Sequence, residues 1–444
     1  MTFEELNLKA PLLNALKDMG LKHPTTIQAK AFSPMMSGKD IVGIAQTGTG
    51  KTIAYLLPCL RLWKYSKNKY PETLIVVPTR ELVVQVVEVI GKLTAYMNVE
   101  VAGVYGGTNI RTQTKLVNKN LDIVVATPGR LVDIVLTGVL RLKSVKRLII
   151  DEVDEMLNLG FLHQIIRIFD LLPDKRQNLM FSATMTAEVG KLIKQFFNNP
   201  QTIEAAPTGA PLENIIQKAY SVPNFYTKVN LLELLLSAHD DMVKVLVFTA
   251  TKKLADRLFE QIKDIFPDQV GVIHSNKSQN NRFNTVNSFQ DGSYRMLIAT
   301  DIVARGLDIS EVSHVVNFDL PEVAETYMHR IGRTGRADKK GMAISFINEK
   351  EQKFQEQIEG LMMTSIPKED RPEGLIISEI LIEDEIPKIK MREAAPVRLP
   401  SKDEKGPAFH EKKLKNLKVN TKMTRKDKFK LKYKKPKTRG QKRK

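Results

Sequence analysis

The body of the chain alternates short apolar runs with longer segments of helical pattern. Ten such runs are spread over two halves: Ile41–Ile44, Leu74–Val77, Ile123–Val125, Leu148–Ile150 and Leu179–Phe181, then Val245–Phe248, Val270–Ile273, Met296–Ala299, His314–Asn317 and Ala343–Phe346. Short continuous apolar runs separated by helix-length segments are typical of buried parallel strands in α/β proteins. Glu81–Ile90 is rich in β-branched residues, but it follows a predicted strand directly and is predicted to be the crossover helix. Each half is therefore predicted to form a mostly parallel sheet flanked by helices.

The segment Ala205–Leu212 is the best linker candidate, because two prolines, a glycine and small residues interrupt the apolar pattern there. Beyond Ile366 the pattern weakens, with one short strand or helix expected at Leu375–Ile382. From Lys388 onward the chain is Lys-rich without apolar periodicity, which predicts disorder. The predicted organisation is a first domain at 1–206, a linker at 207–214, a second domain at 215–366, an acidic and mixed extension at 367–410 and a basic tail at 411–444.

Composition excludes several classes of protein. A hydrophobic fraction of 42% and a charged fraction of 27% in 444 residues are ordinary for a soluble globular protein. The single cysteine, Cys59, excludes an internal disulfide and any site built from several cysteines. The sequence lacks an apolar run of about 18 residues and opens on an acidic, polar segment, so we expect neither a membrane span nor a signal peptide. We expect a cytoplasmic protein.

Positive charge is concentrated at the end of the chain. The segment Glu411–Lys444 contains 17 Lys or Arg against two acids, so it contributes +15 of the net charge of +18 and leaves +3 for the other 410 residues. A tail of this kind binds a polyanion, usually nucleic acid, or is a solvated disordered end.

Polar clusters follow the predicted strands in a constant register. The clusters AQTGTGKT, PTREL, ATPGR, DEVD and SAT come directly after strands of the first half, and TAT and TDIVARGLD come after strands of the second half. In open α/β sheets, ligands bind at the carboxyl ends of the strands. The register therefore predicts one ligand-binding edge in each half.

The segment AQTGTGKT has the composition of a phosphate-binding loop. Gly48 and Gly50 allow backbone N–H groups to surround a phosphate chain, Lys51 reaches the β- and γ-phosphates, and the Thr52 hydroxyl is a ligand for Mg²⁺. The generic pattern begins with glycine, whereas Ala45 stands at that position. The alternative for this segment alone is a Gly-rich turn before a helix.

Two acids follow the strand at Leu148–Ile150. Asp151 is placed to hold Mg²⁺, directly or through water, and Glu152 to orient and deprotonate an attacking water. The alternative is a charge cluster that stabilises the N-terminus of a helix. The phosphate loop about 100 residues earlier favours the catalytic interpretation.

The segment His329–Arg336 contains three arginines and two glycines. This composition is unfavourable for a solvated helix and suits guanidinium groups directed at developing phosphate charge. The alternative is a basic surface loop. If the arginines belong to the second domain, ATP hydrolysis requires the two domains to close.

Together these motifs, in this order over about residues 3–350, resemble the DEAD-box ATP-dependent RNA helicases. The resemblance implies two tandem RecA-like domains, ATP and Mg²⁺ as cofactors, and a monomer that binds RNA. Phe3, Gly20, Pro24, Thr25, Thr26, Ile27 and Gln28 resemble the family's Q motif, in which Phe3 would stack on adenine and Gln28 would select ATP. The implied nucleotide contacts also include Ala45, Gln46, Thr47, Gly48, Thr49, Gly50, Lys51, Thr52, Asp154, Asp301, Gly306, Asp308, Arg333 and Arg336.

The resemblance also assigns coupling and RNA contacts. Ser182 and Thr184 would couple hydrolysis to strand separation through Asp154, and Arg333 and Arg336 would be the arginine fingers. The implied RNA contacts are Pro78, Thr79, Arg80, Gly106, Gly107, Thr127, Pro128, Gly129 and Arg130 in the first domain, and Phe248, Thr249, Gln279, Arg282 and Thr300 in the second. Hydroxyl and backbone N–H donors at such positions predict contacts to phosphates and 2′-OH groups without base readout.

Two positions depart from the family's pattern. Val153 replaces the usual alanine and adds bulk beside the Ser182–Thr184 loop, and Ser275 replaces a glycine. A serine would be strained if its backbone required positive φ.

The function predicted on these grounds is an RNA-dependent ATPase that binds single-stranded RNA between its domains and unwinds short duplexes. The alternatives are an ATP-gated RNA clamp with little strand separation, a DNA-directed helicase, and a non-enzymatic nucleic-acid binder. Ribosomal and RNA-processing proteins are candidate partners.

Overall fold

The fold is described from a computed structural model, which covers residues 1–45, 48–65, 70–204, 214–301, 309, 312–335 and 340–386. The first half forms a seven-stranded parallel sheet in the order β3-β4-β2-β5-β6-β1-β7. Its strands are β1 (Ile41–Ile44), β2 (Thr73–Val76), β3 (Val101–Val104), β4 (Ile123–Ala126), β5 (Arg147–Asp151), β6 (Gln177–Ser182) and β7 (Gln201–Glu204).

Helices cover both faces of the first sheet, and one apolar cluster fills each face. A short 3₁₀ turn, Glu4–Leu6, precedes them. The helices are α1 (Ala10–Asp18), α2 (Thr26–Met36), α3 (Lys51–Leu62), α4 (Arg80–Leu93), α5 (Ile110–Val117), α6 (Pro128–Leu136), α7 (Val153–Asn158), α8 (Leu162–Asp170) and α9 (Ala187–Phe196). Because β1, β2, β4, β5 and β6 are covered on both faces, each contains a continuous run of buried apolar residues.

The second half repeats this architecture, with the parallel strand order β10-β11-β9-β12-β13-β8-β14. Its strands are β8 (Ile215–Ser221), β9 (Val245–Phe248), β10 (Val270–Ile273), β11 (Met296–Ala299), β12 (His314–Asn317), β13 (Gly341–Ile347) and β14 (Lys368–Glu369). The described helices are α10 (Phe225–Ala238), α11 (Lys252–Ile262), α12 (Gln279–Gln290), α13 (Ala324–Ile331) and α14 (Gln352–Met362), with a 3₁₀ turn at Glu349–Glu351.

An aromatic contact sets the position of α3 over the first sheet. The ring of Phe181 on β6 lies against Gly43 on β1, so close that a Cβ at Gly43 would come within 2.6 Å of it. The opposite side of Phe181 packs on Tyr55 of α3, with ring centroids 5.4 Å apart. Since α3 begins directly after the loop that follows β1, this packing fixes where the loop ends.

The α/β prediction with two parallel sheets is confirmed, and all ten predicted strands are present. The structure adds four strands that the apolar pattern does not indicate, namely β3, β7, β8 and β14. The prediction of a strand or helix at Leu375–Ile382 is wrong, because this segment is irregular and most of its side chains are exposed. The linker candidate Ala205–Leu212 and the basic tail lie outside the described residues. Among the described helices, none combines the length and apolarity that a membrane span requires.

Candidate nucleotide and RNA site

The loop between β1 and α3 contains glycines in the left-handed conformation and is held by hydrogen bonds from Gln28 and Thr25. Gly48 and Gly50 have φ of 83° and 86°, a region that favours glycine. Gln28 Nε2 donates to the carbonyl oxygen of Gly50 at 3.1 Å, and the hydroxyl of Thr25 donates to the carbonyl oxygen of Thr49 at 2.8 Å. A Cβ at Gly50 would collide with the Gln28 side chain. The two Q-motif side chains therefore hold the loop directly.

Lys51 opens α3, and its side chain points into the site without a protein partner. The residue is only 6% exposed, and its Nζ atom has no hydrogen-bond acceptor among the described residues. A buried ammonium group without an acceptor is costly. A phosphate group at this position would remove that cost, so the chemistry of the loop fits a nucleotide.

Asp151 ends β5, next to β6, and is 3% exposed. Its Oδ1 accepts a hydrogen bond from the backbone N–H of Glu152 at 3.0 Å. Burial raises the pKa of the Asp151 carboxyl, while the positive charge of Lys51 opposes this shift. Lys51 and Asp151 thus lie in one buried site, as expected for a site that binds a phosphate group together with a metal cation.

Glu152 occupies a backbone conformation that non-glycine residues rarely adopt. Its φ and ψ are 53° and 50°, and it forms the N-cap of α7. Such a conformation costs about 1–3 kcal/mol and is concentrated at functional sites. Burial raises the pKa of the Glu152 carboxyl to about 7, with Lys51 and Arg333 opposing the shift and Asp151 adding to it. A carboxylate with this pKa is well matched to general-base catalysis near neutral pH.

Asp154 connects the first turn of α7 to the loop after β6. Its Oδ2 accepts from the N–H of Ala183 at 3.2 Å, the N–H of Thr184 at 3.0 Å and the hydroxyl of Thr184 at 2.9 Å. The Ser182 hydroxyl donates to the carbonyl oxygen of Thr184 at 2.7 Å, which closes the loop. His329 Nε2, from α13 of the second domain, lies 4.0 Å from the same carboxylate oxygen. Burial alone would raise the pKa of Asp154, but the charges of His329 and Lys51 and the loop hydrogen bonds lower it.

Two arginines of the basic segment His329–Arg336, Arg330 and Arg333, have different roles. Arg333 is 5% exposed, and its positive charge lowers the pKa of Glu152 in the first domain. Arg330 instead forms a bidentate ion pair with Asp301, at 2.6 and 2.8 Å, and donates to Asn317 and to the carbonyl oxygen of Asp319. The expectation that all three arginines of this segment are directed at phosphate is therefore wrong for Arg330. Asp301, which the resemblance implies helps to hold the nucleotide and the arginine geometry, is paired with Arg330, and its nucleotide contact stays a prediction.

A buried ion pair links the two domains on the RNA-motif side. Arg282 Nη1 on α12 lies 2.7 Å from Glu81 Oε1 on α4, and Gln279 Nε2 donates to the same oxygen at 3.3 Å. The Arg282 and Glu81 side chains are 9% and 5% exposed. Both second-domain residues were predicted from the resemblance as RNA contacts, and in this structure their side chains are engaged by Glu81. Glu81 belongs to the PTREL motif, but nothing in that motif indicates its pairing with Arg282.

The remaining RNA-motif residues of the first domain lie where strands lead into helices. Thr79 caps α4 by accepting from the N–H of Leu82 at 3.3 Å, and Thr127 precedes Pro128 at the start of α6. Arg130 donates to Gln113 at 2.7 Å and to the carbonyl oxygen of Thr108 at 2.9 Å. The Arg80 guanidinium lies against Gly107. The remaining predicted contacts of this domain adjoin these residues in the chain: Pro78, Arg80, Gly106, Gly107 and Gly129. These side chains gather at the carboxyl ends of β2 and β4 and near that of β3, and their RNA contacts stay a prediction.

Several predicted residues are buried in the protein. Phe248 and Thr249 are 1% and 0% exposed, and the Arg330 guanidinium carbon lies 4.9 Å from the centre of the Phe248 ring. Thr300 is 9% exposed, and Phe3 is 4% exposed and packed in the core, whereas Thr26 is exposed at the start of α2. Stacking of Phe3 on adenine stays a prediction. Five predicted residues lie outside the part of the chain that is described: Gln46, Thr47, Gly306, Asp308 and Arg336.

The two departures from the family pattern are accommodated. Val153 is fully buried within an apolar cluster of the first domain, where its added methyl groups pack. Ser275 is exposed, and its φ is not positive, so the serine is not strained.

Within the described residues, no group of three or more His, Cys, Asp or Glu side chains is arranged to hold a metal ion. A magnesium site of the kind expected here needs only one or two protein ligands, because substrate phosphates and waters complete it. Asp151 and Thr52 are the residues that would hold the ion.

Sequence comparison gives two family matches that follow one another along the chain. Residues 25–192 match the family described as DEAD/DEAH box helicase, and residues 227–338 match the helicase conserved C-terminal domain. The DEAD-box ATP-dependent RNA helicase CshA of Geobacillus kaustophilus is 39% identical over 350 residues, which cover 79% of this chain and 74% of that protein. The ATP-dependent RNA helicase DbpA of Bacillus subtilis is 37% identical over 371 residues, with coverage of 83% and 76%.

Solved structures give the same result. Dbp5 of S. cerevisiae bound to RNA and ADP BeF3 has a TM-score of 0.75 at 30% identity, covering 83% of this chain and 95% of that one. A DEAD box protein from Methanococcus jannaschii is 39% identical with a TM-score of 0.51, covering 83% and 99%. With a phosphate loop, paired acids and an opposing arginine on two RecA-like sheets, the chain belongs to the DEAD-box family of ATP-dependent RNA helicases.

Proposed function

We propose that the protein is an RNA-dependent ATPase which binds single-stranded RNA through its backbone, without reading sequence, and separates short RNA duplexes locally. The observation that carries this proposal is the division of phosphate-handling groups between the two domains. Lys51, Asp151 and Glu152 lie on the first domain, and the charge of Arg333 from the second domain reaches Glu152. Neither domain alone holds the full set, so hydrolysis requires both.

The protein residues have distinct roles in the proposed reaction. Lys51 and the N–H groups of the loop bind the β- and γ-phosphates, and Asp151 and Thr52 are the proposed ligands of Mg²⁺. A bound Mg²⁺ would neutralise charge on the phosphate oxygens. Glu152 orients and deprotonates the attacking water, while Arg333, with Arg336, stabilises the charge that develops on the transferred phosphoryl group.

RNA binding is proposed to use the edges of both sheets that carry the motif residues. Donors at Thr79, Thr127 and Arg130 suit phosphate oxygens and 2′-OH groups, which would give affinity without base readout. The RNA-bound yeast relative supports RNA as the ligand of this surface. A strand held by both domains in a bent path cannot keep its partner paired, so a short duplex opens when the domains close. Hydrolysis then releases the strand.

The decisive experiment measures ATPase rate with and without single-stranded RNA. We expect marked stimulation by RNA, and a rate indifferent to RNA would contradict the proposed gating. Glu152→Gln should bind ATP and RNA but lose about 10²–10⁴-fold in turnover, the usual contribution of a general base. The matched control is Glu88→Gln, an exposed acid on α4 that pairs with Lys92 at 3.0 Å. Near-normal turnover of Glu152→Gln would refute its assigned role.

A second candidate function is an ATP-gated RNA clamp that holds RNA with little strand separation. The observation that favours it is the buried pair between Glu81 and Arg282, which stabilises the arrangement in which the two domains meet. Displacement of a labelled strand from a short duplex distinguishes the two functions. Efficient displacement supports the helicase, and long-lived RNA complexes without displacement support the clamp.

We further propose that the basic tail, 411–444, adds sequence-independent RNA affinity. If about eight of its charges engage phosphates, log–log salt dependence has a slope near −6, and affinity falls about 10³-fold between about 50 and 200 mM salt. Truncation after residue 410 should remove this dependence. Unchanged RNA affinity at low salt would show that the tail is only a solvated end.

We propose a cytoplasmic monomer with ribosomal or RNA-processing proteins as partners. Measurement of its size in solution tests the monomer, co-purification tests the partners, and cell fractionation tests the location.

A further inference from the structure

A small cleft lies on the first domain, at the edge of the sheet opposite the nucleotide and RNA motifs. It has a volume of about 240 Å³ and is formed where the chain enters β2 and β4 and where α6 leads toward β5. Tyr70, Lys119 and Arg141 line it, together with the side-chain amides of Asn118 and Asn120. Among the described residues that line it, none is acidic. The cleft therefore combines cations and hydrogen-bond donors without a carboxylate to neutralise them.

Tyr70 organises two cations at this cleft. Arg141 Nη1 donates to the Tyr70 hydroxyl at 3.4 Å, and Lys143 Nζ lies 4.6 Å from the centre of the same ring. The ring face attracts the ammonium, and the hydroxyl accepts from the guanidinium, so one residue holds two like charges side by side. Glu72, two residues along the chain from Tyr70, is already paired with Lys146 at 2.6 Å.

Two cations line the cleft, Lys119 and Arg141, and a third, Lys143, lies beside it on the Tyr70 ring. Within the described part of the chain, Lys119, Arg141 and Lys143 have no carboxylate within ion-pair distance, and all three are exposed. Like charges held close together repel, and an anion that bridges them relieves this repulsion. A phosphodiester carries one negative charge shared by two oxygens, which can face the cations and also accept hydrogen bonds from the amides of Asn118 and Asn120.

A larger groove of 1140 Å³ on the same edge provides a contrast. It lies at the amino-terminal ends of β1, β6 and β7 and is lined by Lys39 and Lys175, but also by Asp40 and Asp174. Its charge is mixed, so it has no comparable preference for an anion. The smaller cleft is thus distinguished by its charge and not by its size.

We propose that this cleft, which we name the Tyr70 cleft after its central residue, is a second RNA-binding site that holds the phosphate backbone of the flanking part of a long RNA. The proposal rests on the proposed function, since the same RNA is held at the opposite edge. The strands between the two edges are four residues long, which separates the edges by about 13 Å or more. With one phosphate per about 3.4 Å of a stacked strand, an RNA must extend several nucleotides beyond the motif edge to reach the cleft.

The experiment compares two RNAs on Arg141→Ala/Lys143→Ala. Both side chains are exposed, so the variant should fold normally. Single-stranded RNA of about 4 nucleotides spans about 10 Å, which is less than the separation of the two edges, and RNA of about 40 nucleotides reaches both edges. For the long RNA we expect Kd to rise about three- to tenfold and the salt slope to fall in magnitude by about 1.4, or 0.7 per lost contact. For the short RNA, Kd and the stimulated ATPase rate should not change.

The matched control is Lys39→Ala/Lys175→Ala, which removes the same charge from the mixed groove on the same edge. We expect it to leave the long-RNA affinity within about twofold of the unmodified protein, as for a diffuse charge effect. Charge reversal, Arg141→Glu/Lys143→Glu, should enlarge the loss for long RNA alone. Equal losses in the cleft variant and the control would reduce the effect to net charge and overturn the proposal.

Two further outcomes are informative. If long-RNA affinity is unchanged in the cleft variant while RNA still stimulates the ATPase, the second site is refuted and the cleft is left to an acidic protein partner. If RNA of either length fails to stimulate the unmodified protein, the proposed function fails first. The two failures are therefore distinguishable.

Discussion

The buried pair between Glu81 and Arg282 predicts that one substitution can weaken the coupling between ATP and RNA without touching either ligand. The pair joins α4 of the first domain to α12 of the second, with 2.7 Å between Arg282 Nη1 and Glu81 Oε1. The perturbation is Arg282→Gln. It removes the charge and leaves the Glu81 carboxylate buried in the arrangement in which the domains meet.

The magnitude follows from burial and distance. Two unit charges at 2.7 Å attract by about 6 kcal/mol at an effective dielectric constant of about 20, and desolvation offsets much of this. Removing one partner of a buried, hydrogen-bonded charge pair costs about 2–5 kcal/mol. Because Glu81 can return to water when the domains separate, we expect the lower part of that range, about 2–3 kcal/mol. That corresponds to a loss of about 30- to 150-fold in the closed population.

The assay measures RNA affinity by fluorescence anisotropy, with and without a non-hydrolysable ATP analogue. The ratio of the two Kd values is the coupling, and it should shrink by the factor given above, while nucleotide-free RNA affinity stays the same. Glu81→Gln should give the same result, and the double variant should lose less than the sum of the single losses. The control is Lys252→Gln, an exposed lysine on α11 whose ammonium donates to Asn276 at 3.0 Å. Equal weakening with and without the analogue would show that Arg282 contacts RNA directly.

Three other substitutions test separate parts of the structure. Arg333→Gln should lower the ATPase kcat about 10³-fold and preserve nucleotide-free RNA binding, as measured by steady-state kinetics and anisotropy. Lys228→Met leaves the buried carboxylates of Asp319 and Glu351 without their shared cation, so denaturant unfolding should show a loss of about 3–5 kcal/mol. Burial already raises the pKa of Glu351, so its protonation on acidification should restore part of this stability. Asp154→Asn weakens the contacts to the loop after β6, and the ATP consumed per displaced strand should rise about tenfold.

The fold was predictable wherever burial imposes a sequence pattern. Strands covered on both faces are continuously apolar, so the central strands of both sheets stood out. The missed strands lie at or near the sheet margins: β3 and β7 are the edges of the first sheet, and β14 is an edge of the second. In β7 only Ile203 is buried, so Gln201–Glu204 carries no apolar run. Edge strands with exposed side chains leave no such signal in a single sequence.

The candidate site was predictable to the extent that its residues are neighbours in sequence. Lys51 follows its glycine loop, and Asp151 and Glu152 follow one strand, so motif and register were sufficient. Pairings between distant segments were not predictable, because they depend on how helices pack. Arg330 stands three residues from Arg333 in one basic segment, yet it is bound to Asp301 inside the second domain. Spacing alone does not separate an arginine that holds the fold from one that faces phosphate.

The geometry around α7 gives a physical reason why hydrolysis and the loop after β6 respond to one another. Glu152 caps this helix and Asp154 lies in its first turn, so both carboxylates belong to one rigid segment. Three hydrogen bonds fix Asp154 to the loop, and His329 approaches it from the second domain. We therefore expect a displacement of the loop or of α13 to shift the Glu152 carboxylate. Since a misplacement of about 1 Å can cost about 10²-fold in rate, we expect domain closure to influence the chemical step through the position of this helical turn.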